Sequence, residues 1–77
     1  MRQGVDRLIA IVAAALRVPP STLTLESGPG DLPAWDSLAQ LNVVSEIEAE
    51  FGVSIPIEQV AEIRHIRDFL RYLEKTP

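Results

Sequence analysis

The stretch Trp35-Asp36-Ser37-Leu38-Ala39-Gln40-Leu41-Asn42-Val43-Val44-Ser45-Glu46-Ile47-Glu48-Ala49-Glu50-Phe51-Gly52-Val53-Ser54-Ile55-Pro56 decides the fold. Leu41, Val44, Ile47 and Phe51 recur at helical spacing, Val43 widens the stripe, and Glu46 and Glu50 fall on the opposite face with Glu48 toward its edge. The segment therefore reads as an amphipathic helix over 37–51. Its start has capping chemistry in two forms: Asp36 as N-cap with Ser37 the first helical residue, or Ser37 as N-cap with Gln40 closing a capping box. Gly52 supplies the stop.

Other helices flank it. Val5, Leu8, Ile9, Val12 and Leu16 form one stripe, predicting a helix over 4–17 that Pro19-Pro20 terminates. Pro56 opens a short helix over about 57–62, with Val60 and Ile63 inward. Ile66, Phe69, Leu70 and Leu73 mark a last helix over about 66–75. Residues 18–35 hold four prolines with Gly28 and Gly30 and read as a long loop, tacked to the core by Leu23, Leu25, Leu32 and Trp35. Loops this long in small domains are often functional. No stretch alternates with period two over a useful length. The expected fold is all-α, a small four-helix bundle of three main helices and one short one, with residues 1–77 as a single domain.

Composition narrows the function. A 77-residue chain supports one small core. With no Cys, thiolate metal sites, disulfides and a cysteine nucleophile are excluded, and a cytoplasmic setting is favoured. A single His, His65, leaves little for metal binding or acid–base catalysis, so neither a catalytic nor a metal site is expected. The net charge of −4 is unevenly spread: residues 18–63 hold eight acids and no Lys or Arg. That sign argues against nucleic acid and anionic membrane surfaces and for basic protein partners. The longest apolar run, Leu8–Leu16, is nine residues, far short of a membrane span. Asp6 before it and Arg17 after it also argue against a secretion signal.

Asp36-Ser37-Leu38, followed by the Glu-rich helix ending in Phe51-Gly52 and then Ile55-Pro56, resembles the acyl carrier protein family over nearly the whole chain. The resemblance implies that Ser37 receives a 4′-phosphopantetheine arm from coenzyme A through a Mg²⁺-dependent phosphopantetheinyl transferase, and that acyl groups ride on the arm as thioesters. It implies that Asp36 helps complete the transferase metal site while capping the helix. It also implies that Leu38 is gripped by acyl-loading, acyl-transferring or condensing enzymes, with Glu46, Glu48, Glu50 and Ile55 adding to the docking surface, and that the carrier is a non-enzymatic monomer. Each residue also has a plainer reading. Asp and Ser cap many helices, one exposed Leu is ordinary, and glutamates often form a solvated face.

Trp35 before the triplet, and Ala39 and Asn42 where fatty-acid carriers of the dissociated bacterial type usually have acids, point to a specialised polyketide-like or modified-acyl pathway. A fatty-acid carrier and a discrete aminoacyl or peptidyl carrier are the nearest alternatives. Arg64 and His65 stand where the family often has a Thr cap on its last helix. More distant readings are an unmodified helical interaction module and a small hydrolase using Ser37, His65 and an Asp; no oxyanion-hole motif supports the latter. Val44, Ile47, Ile55, Val60, Ala61 and Ile63 are candidates to line an acyl cleft, or simply to form core.

Overall fold

The computed structural model describes residues 2–73. Helix α1 spans Arg2–Leu16 and buries Leu8, Val12, Ala13 and Leu16. It stops one residue before the expected end because Arg17 adopts a left-handed conformation, φ 60°, and Val18 N–H returns to Ala13 O at 3.0 Å. This is the helix stop usually built with glycine, here borne by an arginine. A 3-10 turn at Pro20–Thr22 follows.

Helix α2, Ser37–Phe51, packs against α1. Its buried face is Gln40, Val43, Val44 and Ile47. This differs from the expected stripe, since Leu41 is exposed. The residues 40, 43, 44 and 47 also follow helical spacing, and the neighbour of Gln40 is turned about 100° away from the core. The first position of the core face is thus a polar one. The Arg7 guanidinium bonds Glu50 at 2.9 Å and lies 4.9 Å from the Phe51 ring centroid, linking α1 to the end of α2. Gly52, φ 67°, takes the left-handed stop, and its N–H donates to Glu48 O.

Helix α3 is Ile57–Val60, shorter than expected, and the chain leaves it by a turn at 61–62. Val60 and Ile63 are buried, as their spacing predicts. The last helix starts as a 3-10 turn, Ile66–Phe69, and continues as α4, Leu70–Leu73; the expected residues 74–75 lie outside the described residues. Among the described residues there is no strand. The long loop lies on the core through buried Leu23 and Trp35, with Leu25 and Leu32 half-buried.

The loop is also stitched to the last helix. Ile66 N–H donates to Ser27 O at 2.8 Å and Arg67 N–H to Leu25 O at 3.0 Å, satisfying helix-start donors that have no partner within the helix. Arg67 bonds Glu26 at 2.7 Å. Asp68 reaches back to accept from Arg64 N at 2.9 Å and His65 N at 3.1 Å. This replaces the missing Thr cap and favours a tight first turn. The Gly28 backbone lies directly against the Arg64 carbonyl, where a Cβ would collide with the oxygen.

Gly28→Ala should therefore destabilise the protein by about 1–3 kcal/mol. Gly4→Ala, with open space around the added methyl, should cost nothing. Denaturant titration of both variants measures the contrast, and equal stabilities would contradict the close approach. The backbone bond from Arg64 is the largest cause holding the Asp68 carboxyl below its ordinary value of 3.8, with His65 N–H and nearby positive charge assisting against partial burial. A carboxyl lowered in the folded state stabilises fully above its unfolded pKa, and that contribution is lost as pH falls through the folded value. Asp68→Asn should thus be less stable than the parent at neutral pH, with the difference shrinking below about pH 4 in denaturation scans. A difference that grows on acidification would be the contrary result.

Candidate functional site at the mouth of helix α2

Asp36 caps α2, its Oδ1 accepting from Ala39 N at 2.9 Å. Such a cap contributes about 1 kcal/mol. Of the two capping schemes, the first therefore holds: Ser37 is the first helical residue, and Gln40 does not reach back to it. Ser37 is exposed. The N–H of Ala39 is taken by the Asp36 side chain and that of Gln40 by the Asp36 carbonyl, 2.9 Å away. The N–H groups of Ser37 and Leu38 precede the helix's own bonding ladder. An anion attached at Ser37 would meet these donors and the positive end of the helix dipole, an arrangement worth about 0.3–1 kcal/mol.

What holds this mouth in place is Trp35, only 1% exposed. Its N–H donates to Leu32 O and its carbonyl accepts from Gly30 N, both at 3.0 Å. Gly30 has φ 93°, a conformation that glycine adopts without strain. The indole Nε1–H donates to Gln40 Oε1 at 2.7 Å. The residue preceding the Asp-Ser pair is thus anchored through both backbone and side chain.

A cleft of about 460 Å³ opens beside Ser37, between the start of α2 and the α3 region. Val60, Ala61 and Ile63 line it as the sequence suggests, joined by Pro29, Trp35, Asp36, Gln40, Leu41 and Ile57. Val44, Ile47 and Ile55 do not line it; they are buried in the core cluster. Leu38 and Ile57 are the most exposed large apolar residues among those described, at 75% and 71%. Ile57 was not read as a cleft residue and Leu41 was read as part of the core stripe, because nothing in their spacing separates a helix's core edge from its cleft edge.

The remaining candidates are dispersed. Glu46 is exposed and makes no ion pair among the described residues. Glu50 is held by Arg7, and Glu48 Oε2 accepts from Ile55 N at 2.7 Å, fastening the chain after Gly52. Ile55 itself is 5% exposed, so its side chain offers no surface to a partner. His65 is absent from the cleft lining, and its Nδ1 lies 3.7 Å from Asp68 Oδ2. Among the described residues no group of His, Asp and Glu could hold a metal ion.

The site is thus a capped helix presenting an exposed serine beside an apolar cleft. The family described as phosphopantetheine attachment site matches residues 6–73. The acyl carrier protein of Phaeodactylum tricornutum is 37% identical over 75 residues, covering 97% of this chain and 99% of the relative. That of Treponema pallidum subsp. pallidum is 39% identical over 69 residues, covering 88% and 87%. The mitochondrial acyl carrier protein of Dictyostelium discoideum is 33% identical over 72 residues, covering 94% of this chain and 59% of the relative. The chain belongs to the acyl carrier protein family, non-catalytic carriers with a covalent 4′-phosphopantetheine that are modified by a phosphopantetheinyl transferase and serve biosynthetic enzymes. Among the described residues no helix is long and apolar enough to cross a membrane.

Proposed function

We propose that Ser37 is the residue that carries the phosphopantetheine arm. The observation that carries this reading is its exposed position as first residue of α2, behind the Asp36 cap. The arm supplies a terminal thiol for acyl thioesters. Ser37 contributes the ester oxygen, the helix start steadies the phosphate, and Asp36 both caps α2 and contacts the transferase's metal. Ser37 needs no activating base of its own, since the transferase can bring base and metal. A carrier free of cysteine also has no thiol of its own to intercept a thioester.

We infer further that partner enzymes approach the face bearing Leu38, with Glu46, which makes no ion pair among the described residues, adding charge and Ile57 extending the apolar patch. Glu48 and Glu50 add to the field while serving the fold. Such a surface acts on encounter rate and orientation more than on affinity. Trp35, Ala39 and Asn42 support a specialised polyketide-like or modified-acyl pathway. A monomeric, cytoplasmic carrier working with loading and condensing enzymes completes the proposal.

Incubation with coenzyme A and a promiscuous transferase should add one phosphopantetheine by mass, and Ser37→Ala should abolish the adduct while remaining folded. An adduct retained by the variant places the attachment elsewhere. On the holo-protein, Glu46→Lys should slow acyl loading by a cognate enzyme and weaken its dependence on ionic strength, whereas Leu38→Ser should slow it without changing that dependence. Loading rates unaffected by either change would move the docking surface to another face.

A further inference from the structure

We propose that a groove between α1 and α2, on the flank of α2 turned away from the cleft at Ser37, is a seat for an arginine side chain of a partner protein. The inference goes beyond the attachment reading and does not depend on it, because neither Ser37 nor the arm takes part in the seat.

The groove has a volume of about 310 Å³ and is lined by Ile11, Ala14 and Ala15 of α1 and by Glu46 and Glu50 of α2. Leu41, which lines the cleft, and Glu46 are five residues apart and point about 140° from each other around α2, so the two concavities lie on different flanks. Ala14 is exposed, with Ile11 and Ala15 half-buried. Two one-carbon side chains leave open the space that larger residues would fill. The result is an apolar floor with carboxylates on one wall.

The chain itself shows how an arginine uses this wall. The Arg7 guanidinium bonds Glu50 Oε2 at 2.9 Å and the Glu50 carbonyl at 3.3 Å, and lies 4.9 Å from the Phe51 ring centroid. Arg7 is four residues before Ile11 and so heads the same stripe of α1. One turn before Glu50 stands Glu46, which makes no ion pair among the described residues. The residues that α1 brings to that part of the groove, Ile11, Ala14 and Ala15, carry no charge. Cation, carboxylate and apolar support are therefore all present at Glu50, whereas Glu46 has the apolar support without the cation.

The lining selects what completes it. A small cation would meet Glu46 and leave the alanine floor uncovered, and an aliphatic side chain would cover the floor and leave the carboxylates unmatched. Arginine lays an apolar stem on such a floor and carries a planar head with five donors, enough to bond Glu46 and to share Glu50 with Arg7. A charge contact of this kind fixes the orientation of a docked protein more than its affinity. It also makes α1 a part of the docking surface.

The test is NMR titration of the isotope-labelled apo-protein with n-butylguanidinium chloride, against sodium chloride at equal ionic strength. The expected result is saturable shifts of the Ala14, Ala15 and Glu46 backbone amides, in the millimolar range that suits so small a probe. Glu46→Gln should weaken binding several-fold and Ala14→Leu, which fills the floor, should abolish it. Glu58→Gln, which removes an exposed acid outside the groove, should leave it unchanged. Shifts that do not saturate, or that sodium chloride reproduces, overturn the seat. Equal weakening by Glu46→Gln and Glu58→Gln also overturns it, since the general acidic field then accounts for the binding. The two glutamate variants decide alone if Ala14→Leu does not fold. On the holo-protein, Ala14→Leu should slow acyl loading by the enzyme that Glu46→Lys slows, and unchanged loading overturns the assignment of the seat to that partner. Absence of the phosphopantetheine adduct would strike the attachment reading and leave the apo-protein titration to decide this one.

Discussion

The burial of Trp35 at the joint between the long loop and helix α2 is the constraint on which the site depends. Its ring is removed from solvent, its indole bonds Gln40, and its backbone is bonded to Leu32 and Gly30. A loop rich in proline and glycine would otherwise leave the next two residues poorly positioned. With Trp35 fixed, Asp36 is held in extended conformation at the N-cap and Ser37 enters the first turn with its side chain exposed. The loop's far side is secured separately, by the bonds from Ser27 and Leu25 to the last helix and by the close approach of Gly28 to Arg64. The two anchors together make a surface loop behave as part of the framework.

Helix α2 then divides its labour by face. Val43, Val44 and Ile47 meet the apolar residues of α1 in one buried cluster. Glu46 looks outward, Glu50 ties to Arg7 and Glu48 fastens Ile55. An acidic stripe that looks uniform in the sequence is thus functionally mixed. Exposed ion pairs such as Arg7–Glu50 contribute little to stability, but this one lowers the charge available to a basic partner near the end of α2. The acidic field is therefore weighted toward acids that make no ion pair among the described residues, Glu46 among them. For a carrier that must bind several enzymes and release each of them, steering by charge suits better than a large apolar interface.

Several features were legible before any coordinates. The 3.6-residue recurrence placed α1 and α2, Gly52 marked the stop of α2, and Pro56 the opening of α3. Asp36-Ser37 reads as a helix start whichever residue caps it. Other features were not legible, each for a physical reason. Gln40 was passed over for the core because a glutamine buries only with a partner, and its partner, Trp35, lies in the loop. The shortening of α3 and the tight start of the last helix depend on turn geometry and on Asp68 reaching back to Arg64 and His65, which single-residue preferences do not encode. Ile55 beside Pro56 looked available to partners, yet its burial follows from the turn that Glu48 holds.

The amino-acid sequence by itself determined the helical class, the order of the elements and the serine at a helix start, because these follow from short-range periodicity, capping and the Asp-Ser-Leu motif in its setting. Only the tertiary structure decided which face of α2 is core, that Glu50 pairs with Arg7, and that Gln40 lines the cleft while bonding Trp35. Those outcomes depend on groups far apart in the chain meeting one another. Whether a polar atom is satisfied, or a carboxylate is already neutralised, is a property of such meetings and not of the local pattern.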